Sequence, residues 1–269
     1  MTTEMPIHFI HISDTHIGSQ KDFLQYELNT YDCFDRFLKG INKLNFKPDF
    51  IIHTGDIVAE PNEASYKLTQ SLADKTDIPI YFTAGNHDDS ELIRRFLKMH
   101  NVEYLDDELL SYSFTFNNTE FISLDTSGYK EIDPQGLISD KQLYIIRKAL
   151  ANANKSVVIF LHFAPVDTGI PWLDKNMSLL NREKLVDIFI ENRKKLRGVF
   201  FGHIHSSFDI FYDNIFYSGV GSLYRQFKTW PNLNKAELEN KHAPHFNCVT
   251  LDRKLLTVKH CSIDLLSVT

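Results

Sequence analysis

In the stretch FFGHIHSS, residues 200–207, His203 and His205 stand one residue apart directly behind an apolar run and Gly202. An extended chain sends residues i and i+2 to the same face, so both imidazoles can be aimed at one spot, which suits a metal ion. Gly202 allows a sharp turn or a close approach of backbone to another group as LRGVFF leaves the core. Taken alone, an H-x-H pair is equally a solvated loop with two surface histidines. The other polar residues have to decide between the two.

Four more apolar runs end in the same way. IHFIHI (7–12) leads into Asp14 and His16, again one residue apart, and FII (50–52) leads into Asp56 behind Gly55. IPIYFT (78–83) leads into Asn86, His87 and Asp88 behind Gly85, and SVVIFL (156–161) runs straight into His162. The run EFISL (120–124) is the exception. Each motif alone is common, but five in succession, each at a strand end, are hard to produce by accident. In an open α/β sheet the loops beyond the carboxyl ends of the strands converge on one crevice, so the five would share a rim. Oxygen and imidazole donors without thiolate suit Mn²⁺, Fe or Zn²⁺, and they outnumber what one ion needs, which implies two. A pair of ions roughly 3.5 to 4 Å apart clamps phosphoryl oxygens and acidifies a bound water; such a pair is normally bridged by a carboxylate, for which Asp56 is the natural candidate.

The elements that must hold these loops alternate in type. Phe34, Phe37, Leu38, Ile41 and Leu44 keep the 3.6-residue spacing of one buried helix face. Ser90 and Ser139 read as helix N-caps, the latter completing a capping box with Gln142, and Asn181 reads as the N-cap of REKLVDIFIENRKK. Strands buried on both faces read as continuous Val, Ile and Phe runs, which argues for an α/β domain. After residue 205, FDIFYDNIFYSG reads as two strands about an Asp213-Asn214 turn and CVTLDRKLLTVKHCSI as a further hairpin, so antiparallel strands are expected there. No repeat, low-complexity segment or linker marks a boundary, and residues 1–269 are expected to form a single domain.

The set D-x-H (Asp14, His16), G-D (Gly55, Asp56), G-N-H-D (Gly85 to Asp88), a lone His162 and G-H-x-H (Gly202 to His205) resembles the five blocks of the calcineurin-like metallophosphoesterase superfamily. GNHDD, TGIPWLDKNMSLLNREKL (168–185) and SLYRQFK (222–228) are similar, more narrowly, to bacterial class III cyclic-nucleotide phosphodiesterases and their glycerophosphodiesterase relatives. The resemblance implies a four-layer αββα sandwich. It assigns Asp14, His16 and His205 to one metal, Asn86, His162 and His203 to the other, and Asp56 to both. It makes His87 the group facing the phosphate and leaving oxygen, oriented by Asp88, and it brings Asn86 and Asn181 near the substrate. The implied reaction is attack of a metal-bridging hydroxide on a small phosphodiester, a 3′,5′-cyclic nucleotide such as cAMP first and a glycerophosphodiester or monoester as alternatives. One departure is visible: relatives often carry a second histidine after the His162 position, where this chain has Phe163.

Other residues keep two readings. Trp172, Tyr224 and Phe227 could stack on a base or pack the core, and Arg225 and Lys228 could meet a phosphate or be solvated. His8, His11 and His53 are expected to be hydrogen-bonded packing residues, while His242 and His245 are weak candidates on a loop or lid. A net charge of −6 gives no footprint for long nucleic acid. Cys33, Cys248 and Cys261, scattered and odd in number, suggest neither a disulfide framework nor a thiolate metal site. No basic leader or apolar stretch of about 18 residues is seen, so a cytoplasmic protein without membrane contact is expected, its oligomeric state open. The rivals are a metal-free scaffold of the same fold, against which every ligand position is filled, and a DNA exonuclease, against which the charge speaks.

Overall fold

The computed structural model describes residues 5–128, 132–239 and 243–262. Among them two principal sheets form the centre of the protein. The first has five strands in the order Leu256–Ser262, His245–Leu251, Ile7–Ile12, Phe50–His53, Ile80–Phe82, the last three parallel to one another. The second has seven, in the order Asp209–Tyr212, Ile215–Gly219, Leu196–Phe201, Ser156–Phe160, Thr119–Ser123, Tyr112–Phe116, Glu103–Tyr104, with a parallel centre running from Ile215–Gly219 to Thr119–Ser123.

Phenylalanines clamp the sheets face to face. Phe9 of the first meets Phe121, Phe160 and Phe200 of the second edge-on, with centroids 5.5 to 6.0 Å apart, and Phe50 meets Phe121 at 5.1 Å. All five are fully buried; each such ring contributes about 1.5–3 kcal/mol by burial, and each edge-on pair roughly 1 kcal/mol more. Side chains alternate along a strand, so Val158 and Phe160 face this inter-sheet core while Val157 and Ile159 face the other way, against the helices Asp140–Asn152 and Arg182–Glu191. Helices Thr30–Ile41, Glu63–Ala73 and Ser90–Phe96 cover the outer face of the first sheet. The result is four layers, α, β, β, α, as expected.

Local differences from the sequence reading have physical causes. The helix from Thr30 stops at Ile41, so Leu44, expected on its buried face, is exposed. The cap before ELIRRFLK is Asp89, whose side chain accepts the Leu92 N–H, and not Ser90, whose hydroxyl donates to Asp125. Ser139 and Gln142 do form their capping box. The Asp213-Asn214 turn has φ of 51° and 61°, the left-handed pair that a two-residue hairpin favours. Its second strand, Ile215–Gly219, nevertheless joins the sheet parallel to Leu196–Phe201, because the chain leaves the sheet through residues 202–208 and re-enters at its edge. The hairpin of Tyr112–Phe116 with Thr119–Ser123, about Asn117-Asn118, had only its second strand foreseen. Among the described residues no helix is long and apolar enough to cross a membrane.

Candidate metal centre and cleft

Parallel strands deliver their C-terminal loops to the same end of the molecule, and hydrogen bonds between loops fix them. The Asp14 N–H donates to the Gly55 carbonyl and the His16 N–H to that of Asp56, each at 3.0 Å, while Gly202 N–H donates to the His162 carbonyl at 2.9 Å. Gly85 and Gly202 have no room for a side chain: a Cβ on Gly85 would strike Asp56, and one on Gly202 would strike Ser13 and come within 3.0 Å of Asp14 Oδ2. Gly55, at φ +96°, sits in the conformation glycine favours. More telling, Asp14, His16, Asp56, His203 and His205 all lie at φ between 44° and 67°. Left-handed non-glycine residues cost of order 1 kcal/mol or more each and gather where surrounding structure holds side chains in a functional pose. Five of them here belong to one cluster.

The side chains converge into three overlapping groups whose ligand-type atoms lie within 4.8 Å of one another: Asp14 with His16 and His205, His16 with Asp56 and His87, and Asp56 with His162 and His203. Asp56 stands between them, Oδ1 at 3.3 Å from His162 Nε2 and Oδ2 at 3.5 Å from His16 Nε2. Asp14 Oδ1 lies 3.4 Å from His205 Nε2, and His203 Nδ1 lies 3.1 Å from His162 Nε2. Backbone carbonyls orient the rings: Thr54 accepts from His162 Nδ1 at 2.7 Å, Arg225 from His205 Nδ1 at 2.9 Å and Ala59 from His87 Nδ1 at 2.9 Å. Such outer contacts set the tautomer and leave the other nitrogen for a ligand.

Whether this pocket fits a cation can be judged from its own polar atoms. Among the described residues Asp14 Oδ1, both ring nitrogens of His16, Asn86 Oδ1 and His203 Nε2 are buried without a hydrogen-bond partner. Buried polar atoms are rarely left so; a neutral His16 keeps a proton on one ring nitrogen, and the other four of these atoms can offer lone pairs to a common partner of positive charge. Burial opposes charge on Asp14 and Asp56, yet His205 beside the first and His162 beside the second hold both carboxyls well below the usual range. Burial pushes His16 and His203 down to about 3, which keeps them neutral as ligation requires. Against its own burial, His162 is lifted to about 9 by the charge of Asp56, so the carboxylates draw positive charge to this spot. The residues fit a metal centre. Gly202→Ala is therefore expected to press Asp14 away from the His203 turn and to weaken metal binding by about tenfold or more, as disturbance of the groups around a ligand does, measured by titrating Mn²⁺ into stripped protein.

The cluster opens into a cleft of about 440 Å³ lined by His16, Asp56, Asn86, His87, His203 and His205, with Trp172, Tyr224, Phe227 and Tyr26 as an aromatic wall. Trp172 and Tyr224 are buried; Phe227 lies 5.1 Å and Tyr224 5.8 Å from the His205 ring, and Trp172 packs behind them on Phe227 at 5.3 Å. The packing reading of these aromatics is the one the contacts show. Phe163 is fully buried with its ring 4.4 Å from that of His203, so it braces this turn from the apolar side.

Two expected site residues make other contacts. Among the described residues no hydrogen bond joins Asp88 to the His87 ring: the Asp88 carboxylate accepts from the backbone of Ile57 (3.1 Å), Val58 (3.3 Å) and Gly85 (2.9 Å) and from the Tyr66 hydroxyl, tying the Gly55-Asp56 loop to the Gly85 loop. Burial and the charge of Asp56 push that carboxyl up to about 7, against the pull of the Gly85 and Ile57 N–H groups. The orienting contact to His87 is the Ala59 carbonyl. Asn181 occupies an N-cap position but makes no cap bond; it sits at φ 53°, its amide bonds the Ile138 N–H and carbonyl at 3.3 and 2.7 Å, and it is not among the residues that line the cleft.

Other histidines pack as expected: His8, His11 and His53 bond the hydroxyls of Thr250, Thr54 and Thr15. Lys228 pairs with Glu237 at 3.3 Å, His245 begins the strand His245–Leu251, and His242 lies outside the described residues. The sequence reading missed Gln25, Tyr26, Pro134, Asn176 and Met177, which line the cleft. Tyr26 and Glu27 form a two-residue hairpin turn at φ 47° and 66° without the Asn-Gly signal that betrays such turns.

Residues 7–207 match the family model described as calcineurin-like phosphoesterase. The chain belongs to that family. It is accordingly a metal-dependent phosphoric ester hydrolase, of a family that generally binds two divalent metal ions. Over 196 residues the chain is 28% identical to a protein of Arcobacter nitrofigilis named "Probable glycerophosphodiester phosphodiesterase GpdQ", covering 73% of this chain and 71% of that one. It is 25% identical over 208 residues to the 3′,5′-cyclic adenosine monophosphate phosphodiesterase CpdA of Pseudomonas aeruginosa, covering 77% and 72%. Among solved structures, a dimetal phosphatase from Danio rerio superposes with a TM-score of 0.66 at 14% identity, covering 96% of this chain and 98% of the other, a likeness of fold.

Proposed function

We propose that the protein is a dinuclear-metal phosphodiesterase acting on a small diester, with a 3′,5′-cyclic nucleotide such as cAMP as its first substrate class. The observation that carries this is one cleft joining a cluster of unpartnered ligand atoms to a wall of aromatic side chains. Its volume of about 440 Å³ suits a nucleotide, and relatives at 25 to 28% identity are named for cyclic-nucleotide and glycerophosphodiester hydrolysis. On this reading Asp14, His16 and His205 hold one ion, Asn86, His162 and His203 the other, and Asp56 both, the ions being Mn²⁺, Fe or Zn²⁺. Bound there, the ions supply Lewis acidity to the phosphoryl oxygens and lower the pKa of water toward neutrality.

The chain's own residues do the rest. His87 commits Nδ1 to the Ala59 carbonyl, which leaves Nε2 for the oxygen that departs from phosphorus. Burial alone would disfavour the imidazolium; the Asp56 charge and the Ala59 carbonyl outweigh it and raise the His87 pKa above the ordinary value, which favours a ring proton for the leaving alkoxide. The His87 N–H also donates to Asp56 Oδ1 at 3.0 Å, fixing the acid relative to the ion-binding carboxylate. Tyr26 and Phe227, the more accessible rings of the cleft wall, are the faces offered to a base.

Hydrolysis of cAMP and of glycerophosphocholine in matched assays, with Mn²⁺ and after metal stripping, tests this. Metal-dependent turnover of cAMP with the higher kcat/KM is expected, abolished by stripping. Preference for glycerophosphocholine would move the substrate class to glycerol diesters, and no metal-dependent hydrolysis of any phosphodiester would sink the reading.

A further inference from the structure

The side-chain amide of Asn86 presents two ends of nearly equal size and opposite character, and only its oxygen can face a cation. Nothing in the G-N-H-D motif itself decides which end points inward. In the structure Asn86 Nδ2 donates to Asp133 Oδ1 at 2.6 Å, while Asn86 Oδ1 is buried without a partner among the described residues. A carboxylate can only accept, so Asp133 commits the NH₂ end and forces the carbonyl oxygen toward the cluster. Rotating the amide would set two acceptors, Asn86 Oδ1 and Asp133 Oδ1, against each other and turn N–H groups toward the cation site.

We infer that Asp133 is a positioning residue that locks the Asn86 amide in the orientation able to ligate, an inference that rests on the assignment of Asn86 to the metal centre. Asp133 belongs to none of the five strand-end motifs. It stands 47 positions beyond Asn86, in the turn before the short strand Gly136–Leu137, next to Pro134, which lines the cleft. Because Asp133 is exposed, its effect should fall at the low end of the range for groups that orient metal ligands, about tenfold in affinity. Asp133→Asn provides the control, since its carbonyl still accepts from Asn86 Nδ2 while the charge is gone.

The test is calorimetric titration of Mn²⁺ into the metal-stripped full chain, with the melting temperature of each stripped protein as a second readout. Asp133→Ala is expected to weaken one of two sites about tenfold without lowering that melting temperature, and Asp133→Asn to stay within about threefold of the parent. Asn86→Ala is expected to weaken the same site more. If Asn86→Ala weakens a site and Asp133→Ala does not, the role of Asp133 is refuted while the metal assignment stands; if Asn86→Ala leaves both sites unchanged, the assignment beneath it fails. Equal losses in Asp133→Ala and Asp133→Asn would make the effect one of charge and overturn the amide argument, as would a fall in melting temperature with both sites weakened together.

Discussion

Asp56→Asn is expected to lower kcat/KM for a phosphodiester by roughly 10³-fold, a loss of about 4 kcal/mol in transition-state stabilisation. The substitution keeps the size of the side chain and an oxygen that can still accept the His87 N–H. What disappears is the charge standing 3.3 Å from His162 and 3.5 Å from His16, the one carboxylate shared by two of the three groups of ligand atoms. On the proposed account both ions would lose a ligand at once, so metal content should fall with activity and added Mn²⁺ should restore little of either. A variant that kept its rate within tenfold and both metals would show that Asp56 does not bridge the site.

His87→Asn is expected to lower kcat by about 10²- to 10⁴-fold, the range for loss of a general acid, and to leave KM nearly unchanged. Metal content is the separating measurement, because His87 also lies within ligand distance of His16 and Asp56. Its Nδ1 is committed to Ala59, and its other nitrogen faces the cleft that substrate would fill. On the proposed account the variant therefore carries its full metal complement and is slow for want of a proton. Loss of an ion in His87→Asn would make this histidine a ligand and leave the leaving group without an acid from the chain. With a nitrophenolate leaving group, which departs without protonation, the defect should shrink to within about tenfold.

The sequence made the metal-centre residues legible for a physical reason. Parallel strands deliver their following loops to one end of their sheet, so residues placed just after IHFIHI, FII and IPIYFT share one rim and those after SVVIFL and GVFF another, and the face-to-face packing of the two sheets brings the rims together. The exception also held its meaning: Asp125, after the strand Thr119–Ser123, serves structure, accepting from Leu110 N–H at 3.0 Å and from the Ser127 hydroxyl. What stayed hidden was carried by groups that every residue possesses or by distant loops. The ring-orienting carbonyls of Thr54, Ala59 and Arg225 leave no trace in residue type. Asp88 looked like the partner of its neighbour His87, but adjacent residues seldom face each other, and its carboxylate instead reaches backbone N–H groups about 30 positions away. Asn181 carried a cap signature in sequence, yet its left-handed backbone turns the amide onto Ile138. The cleft wall of Tyr26, Pro134 and Met177 comes from turns whose conformations no short-range pattern announces.

The central claim is that two ions share Asp56 at the rim of these strands. Anomalous difference maps from crystals of the full chain grown with Mn²⁺ test it directly. The account predicts two peaks roughly 3.5 to 4 Å apart, one beside Asp14, His16 and His205, the other beside Asn86, His162 and His203, with Asp56 touching both. A single peak, or two peaks of which Asp56 contacts only one, would contradict it.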